Sequence, residues 1–187
     1  MMSTKKGDEM KAYIGDFPGR RSKKERKISV TVHEWDTWDL YTTLSHITLP
    51  LLRKFREELS GAPNIDDENV PESLRSTSAP PKKNEWDADE NWFKRWEWVL
   101  DEMIFAHSHA TGEIEEPLDF ITIPDGINPW DAEEISPPGT PKEKRLYRLK
   151  TENWLVDEKR RAEWHKYHER VQNGFRLFGE YYSSLWQ

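Results

Sequence analysis

The sequence predicts an α+β fold dominated by helices, with three main helices, a small sheet and long ordered loops. Three observations predict it. Apolar and aromatic residues recur at helical spacing over 36–59, 87–110 and 157–187. One short stretch, KISVTVHEW, alternates strictly, as a strand with one buried face does. The connections between these stretches are rich in Pro, Ser and acidic residues. A chain of 187 residues fits one domain, read as 27–187, preceded by a flexible basic segment at 1–26.

Composition narrows the class. Hydrophobic residues are 35% of the chain and charged residues 34%, a balance that leans toward disorder. Aromatics at 12% oppose it, because each aromatic ring buries a large area. An aromatic core under a charged surface is expected. There are no cysteines, so disulfides, thiolate catalysis and thiolate metal sites are excluded. No apolar run approaches the ~18 residues of a membrane helix, and no secretory h-region opens the chain. No membrane partner is therefore expected. The run Arg20 to Lys27 holds six bases and one acid, while the remaining 179 residues hold 22 bases and 34 acids, a net of −12. Such a body is a poor nucleic-acid surface except through Arg20–Lys27.

Taken in order, Ile28, Val30 and Val32 form the apolar face of a half-buried strand. Asp36 or Thr37 caps the first helix, on which Leu40, Leu44, Ile47, Leu51 and Phe55 make one apolar stripe. Pro50 lies inside it and should kink or split the helix, because proline cannot donate to the His46 carbonyl. Residues 60–88 read as an ordered wrapping loop, pinned by Ile65, Val70, Leu74 and Trp86, with a turn at PESLR. Asp87 and Glu90 have the spacing of a capping box for the second helix, which stops near Gly112. A short strand is expected at Phe120–Ile123 and another strand or hairpin within KRLYRLKTENWLV. Asp157 opens the last helix, with Trp164, His168, Val171, Phe175, Phe178, Tyr182, Leu185 and Trp186 on one stripe. Gly174 and Gly179 cost this helix propensity, which close approach by another helix would explain.

The second helix raises the functional question. Trp92, Phe93, Trp96, Val99, Leu100, Met103, Ile104 and Ala106 share a core face at 100° per residue, with Lys94, Glu97, Asp101 and Glu102 opposite. Trp98 and Phe105, two turns apart, lie on that polar side. A wrapping loop, a subunit interface or a stacking surface for a ligand ring would each account for them. Asp101 beside them could accept from an exocyclic amine. The loop LRSTSAPPKK offers Arg75, Ser76, Thr77 and Lys82 to a phosphate. Together these seven residues make a candidate nucleotide-binding set.

Other motifs are weaker. His165 and His168 stand three apart, but His168 lies on the apolar stripe, and no metal site or cofactor is expected. HIT at 46–48 and HSH at 107–109 faintly match the paired motifs of two-histidine phosphoesterases, yet both fall in helical patterns rather than strands. No phosphate-loop, dinucleotide or nucleophile-elbow motif is present. No catalytic residue is singled out.

Four blocks, VHEWDTWDLYTTLSHITLPLL, GAPNIDDENVPESLRSTSAPPK, NWFKRWEWVLDEMIFA and NGFRLFGEYYSSLW, follow in that order. Together they resemble an uncharacterised protein family encoded by tailed bacteriophages and common among marine and environmental phages. The resemblance covers most of 27–110 and 163–187, and 112–155 matches poorly. It implies a viral, host-cytoplasmic setting and supplies no catalytic residues to carry over. The expected function is a non-enzymatic accessory protein that acts on host machinery or sequesters a host immune signalling nucleotide. The alternatives are a structural or assembly protein, an inhibitor that binds a host protein, and a cryptic phosphoesterase. Association into a homo-oligomer is compatible with each.

Overall fold

A computed structural model describes residues 10–16 and 25–186. The fold is α+β and dominated by helices. Four helices and three two-stranded antiparallel sheets are present among the described residues. The sequence reads as one domain over 27–187, but its contacts gather into two compact units. Unit 1 comprises residues up to Ile114 together with Gly174 onward, and unit 2 is Glu115–Asn173.

Unit 1 begins with β1 (Lys11–Ile14) paired antiparallel to β2 (Ile28–Thr31). Thus part of the segment expected to be flexible is a strand. Of the basic run Arg20–Lys27, residues 20–24 lie outside the described residues. The alternation in β2 is amphipathic as expected, but Ile28, Val30 and Val32 are exposed rather than half-buried. Pairing two strands satisfies backbone groups without covering a face.

Helix α1 (Glu34–Trp38) and helix α2 (Leu40–Glu57) follow. The break falls where Asp39 leaves helical geometry and its carboxylate accepts from the Thr42 N–H, so the long helix is capped by Asp39 and not by Asp36 or Thr37. Asp36 instead accepts from the His33 N–H and starts α1. Pro50 does not split α2. It lies on an exposed side, as does His46, so water can serve the carbonyl that proline leaves unpaired. The buried face also differs from the expected stripe. Ser45, Leu49 and Leu52 are buried, while Leu40, Leu44 and Leu51 remain 49–60% exposed. The apolar arc of α2 is about twice the ~100° that one partner helix covers, and α3 takes only one half.

Helix α3 (Trp92–Ala110) forms the centre. Trp96, Val99, Leu100, Met103 and Ala106 are buried as expected, whereas Phe93 is exposed. It starts later than the Asp87/Glu90 spacing suggests. Asp87 accepts from Asn84 Nδ2 instead. Asp89 is drawn inward by Arg95, whose two terminal nitrogens donate to the two carboxylate oxygens at 3.0 and 2.7 Å. Both side chains are buried, and the bidentate pair fixes residues 89–91 as the turn before the helix. Gly112 ends it with φ +71°, as a C-terminal glycine does.

The 60–88 loop is ordered and wraps unit 1. Ile65 and Val70 enter the core, and 3-10 turns form at Asp67–Asn69, Glu72–Leu74 and Ser76–Ser78. Its backbone is held by side chains. Trp92 Nε1 donates to the Ala62 carbonyl at 3.2 Å, Arg95 to that of Leu74 at 3.2 Å, and the Asp66 N–H to the Tyr181 hydroxyl at 3.3 Å. Trp86 pins nothing, being 93% exposed.

In unit 2, β3 (Ile121–Thr122) pairs with β6 (Leu155–Val156), and β4 (Ala132–Glu134) with β5 (Tyr147–Leu149). Helix α4 (Glu158–Glu180) begins in this unit, with Asp157 accepting from the Arg160 N–H. Trp164 lies tilted against His168 at 3.9 Å and edge-on to Phe120 at 5.5 Å, centroid to centroid.

The last turns of α4 belong to unit 1 and meet α3 at Gly174. A Cβ there would fall onto the Glu102 carbonyl and 2.6 Å from the Ala106 Cβ. This approach explains why Glu102, expected on a solvent face, is buried. It also rotates the expected stripe. Val171, Gly174, Leu177 and Tyr181 are buried, while Tyr182 and Trp186 lie beyond the helix end and are exposed. No helix among the described residues is long and apolar enough to cross a membrane.

Two stability predictions follow from these contacts. Gly174→Ala will destabilise the protein by about 1–3 kcal/mol through overpacking. Gly179→Ala, with nothing within 4 Å of its added Cβ, will stabilise it by up to ~1 kcal/mol through helix propensity. Equal effects in urea denaturation would refute the close-approach account. Asp89→Ala will cost about 3–5 kcal/mol, as losing one member of a buried pair does, and Asp87→Ala will cost far less. A loss below ~1 kcal/mol for Asp89→Ala would show that the pair does not hold the α3 start.

Candidate functional site

The seven residues of the candidate nucleotide set fall into two groups, Trp98, Asp101 and Phe105 on α3 and Arg75, Ser76, Thr77 and Lys82 in the loop. Trp98 is half-buried and packs against the core cluster, and Phe105 is also half-buried. The side expected to face solvent is partly occupied by α4. Asp101 accepts from Arg56 Nε at 3.0 Å and so ties α3 to α2. In the loop, the Ser76 N–H and hydroxyl both donate to Asp67, at 2.7 and 2.5 Å. These bonds hold the Asp67 carboxyl below its usual pKa. An ionised carboxylate therefore already occupies both Ser76 donors. Thr77 and Lys82 are exposed, and Arg75 is half-buried with its Nε buried and unpaired.

A different feature stands out in unit 1. The half of the α2 apolar arc that stays uncovered among the described residues forms one wall of a groove, and the C-terminal segment forms the other. One section, about 400 Å³, lies among Thr48, Leu51, Phe55, Phe178, Tyr182 and Leu185. A second, about 330 Å³, includes Tyr41, Leu44, His107 and Phe175 and shares Thr48, Phe178 and Tyr182 with the first. The lining is apolar except for hydroxyls and one imidazole. Tyr41 and Phe175 meet across it at 5.3 Å between centroids. Leu44, Leu51 and Tyr182 are 51, 60 and 66% exposed.

His107 lies at the floor. It is buried between Phe175 and Phe178, with ring centroids 5.0 and 4.9 Å away, and its Nδ1 lies 2.9 Å from the Met103 carbonyl. Burial lowers its pKa below the ordinary 6.5, and the contact with Met103 opposes this only in part. His46 opens into a separate cleft with Met10, Ala12 and Ile47. His46 of HIT and His107 of HSH line different cavities, which is not the facing arrangement that two-histidine phosphoester chemistry needs.

Sequence reasoning identified the α2 stripe but assigned it to the core. It did not bring His107, Tyr41 or the C-terminal residues to one place. The available signal was the excess width of the α2 arc, because Leu49 and Leu52 supply a second stripe beside the first.

A pH dependence follows from His107. Its folded pKa is lowered, so the unfolded chain binds the proton first as pH falls. The neutral ring contributes fully above pH ~6.5, and stability is lost as pH falls from there toward the folded pKa. Urea denaturation between pH 7.5 and 5 will show this loss in the wild type and a smaller slope in His107→Phe. Identical slopes would refute it. No protein-family model, curated protein or solved structure matches the chain.

Proposed function

We propose that this protein is a non-enzymatic bacteriophage accessory protein that works in the host cytoplasm by docking another polypeptide. The contact surface is the apolar strip of α2 with the groove beside it. One observation carries the reading: helix α2 keeps Leu40, Leu44 and Leu51 about half-exposed, next to an apolar groove. Solvent-facing leucines in a row are the mark of an association surface. Grooves of this kind take the apolar face of a helix. The phage setting rests on the sequence resemblance alone.

The nucleotide reading is less well supported, because Asp67 engages both Ser76 donors. The docking reading is tested by placing a photo-crosslinking amino acid at Leu51 or at Lys82 and irradiating bacterial cells that express the full chain. Protein adducts at Leu51 and few at Lys82 are expected. Adducts confined to Lys82, or a thermal shift of several degrees with mono-, di- or cyclic nucleotides, would overturn it.

A further inference from the structure

We infer that the second section of the groove is a binding site for a small neutral molecule with a flat aromatic ring and one N–H or O–H donor. The ring lies among Tyr41, Phe175, Phe178 and Tyr182, and the donor meets His107 Nε2. Leu51, the position that probes docking, borders only the first section. The site therefore stands or falls apart from the docking reading.

His107 decides the chemistry. It lines the section while only 3% exposed. Its Nδ1 is turned back onto the Met103 carbonyl of its own helix at 2.9 Å. A carbonyl only accepts, so Nδ1 carries the proton. Burial keeps the ring neutral above its lowered pKa, and Nε2, on the far side of the ring, is then a lone-pair acceptor. It has no hydrogen-bond partner among the described residues, and it is not sealed from solvent. An acceptor held in apolar surroundings gains most from a donor that reaches it without bringing a charge. Ser45, 2% exposed, adds a second buried polar side chain to the same wall.

The walls select a ring. Tyr41 and Phe175 stand tilted at 5.3 Å, and Phe178 and Tyr182 edge-on at 5.5 Å, centroid to centroid. Rings set this way offer both faces and edges to a further ring. Among the described residues no lysine, arginine, aspartate or glutamate lines the section. A phosphate or carboxylate finds no counter-charge there, so the ligand is neutral. The volume of about 330 Å³ lies at the lower end of the ~300–1,000 Å³ of small-molecule sites, which suits one or two fused rings. An extended peptide would bring backbone donors and acceptors that walls this apolar do not pair.

The test is isothermal titration calorimetry of the full chain with indole and with benzofuran, which has the same shape but an oxygen in place of the N–H. Indole is expected to saturate the protein with a dissociation constant of about 0.1 mM. Benzofuran is expected to bind ~10-fold more weakly. In His107→Phe the preference for indole is expected to fall to within ~2-fold. Tyr182→Ala, at an exposed position, is expected to weaken both probes ~3–10-fold, and it reads the site even if His107→Phe fails to fold. Indole that does not saturate by ~3 mM, equal affinity for the two probes, or unchanged affinity in Tyr182→Ala overturns the inference. An indole preference that survives in folded His107→Phe does so too. N-acetyltryptophanamide binding more tightly than indole overturns the free molecule in favour of a tryptophan side chain presented by a polypeptide.

Discussion

The contact at Gly174 sets the rest of unit 1. Only a residue without a side chain lets the α4 backbone come down onto the Glu102 carbonyl and the Ala106 methyl. With that approach made, Phe175 and Phe178 are carried onto His107, and Leu177 enters the core. The second wall of the groove exists because α4 sits this close to α3. The helix-propensity cost of a mid-helix glycine, ~1 kcal/mol, is offset by the apolar area that the approach buries.

A second constraint acts at the other end of α3. The buried Arg95–Asp89 pair fixes the turn before the helix, and Arg95 also reaches back to the Leu74 carbonyl. Tyr181 meets Trp96 edge-on at 6.0 Å and receives the Asp66 N–H and Asn69 Nδ2. A polar, proline-rich loop is thereby ordered by side chains from two helices instead of by its own apolar content. The donors near Ser76 are consumed in the same way by Asp67. The loop has the composition of a binding loop, but both Ser76 donors are spent on structure.

Much of the fold was legible, and the failures share one cause. The three long helices, the strand at 28–31, the ordered loop, the Asp157 start and the Gly112 stop all rest on local chemistry, and local chemistry is what periodicity and capping report. Which face each helix buries is a tertiary fact. Leu44 and Leu51 look identical to Leu49 and Leu52 until α3 covers one pair and leaves the other. Glu102 reads as a surface acid until Gly174 brings a helix over it. Asp89 competes with Asp87 for the cap only because Arg95, six residues on, folds back to it. The candidate site fared worse for the same reason. Its residues come from α2, α3 and the C-terminal segment, and nothing in the spacing of any one of them foretells that they meet.

The distribution of tryptophans has a spectroscopic consequence. Trp96 is enclosed, whereas Trp35, Trp38, Trp86, Trp130 and Trp186 are 68–93% exposed. Half of the ten indoles therefore emit from water in the native state, and Trp164 lies against an imidazole that can quench it. Bulk fluorescence will change little in wavelength on unfolding. Near-ultraviolet circular dichroism, which reports asymmetry around rings such as Trp96, is the optical signal that follows the core of this protein.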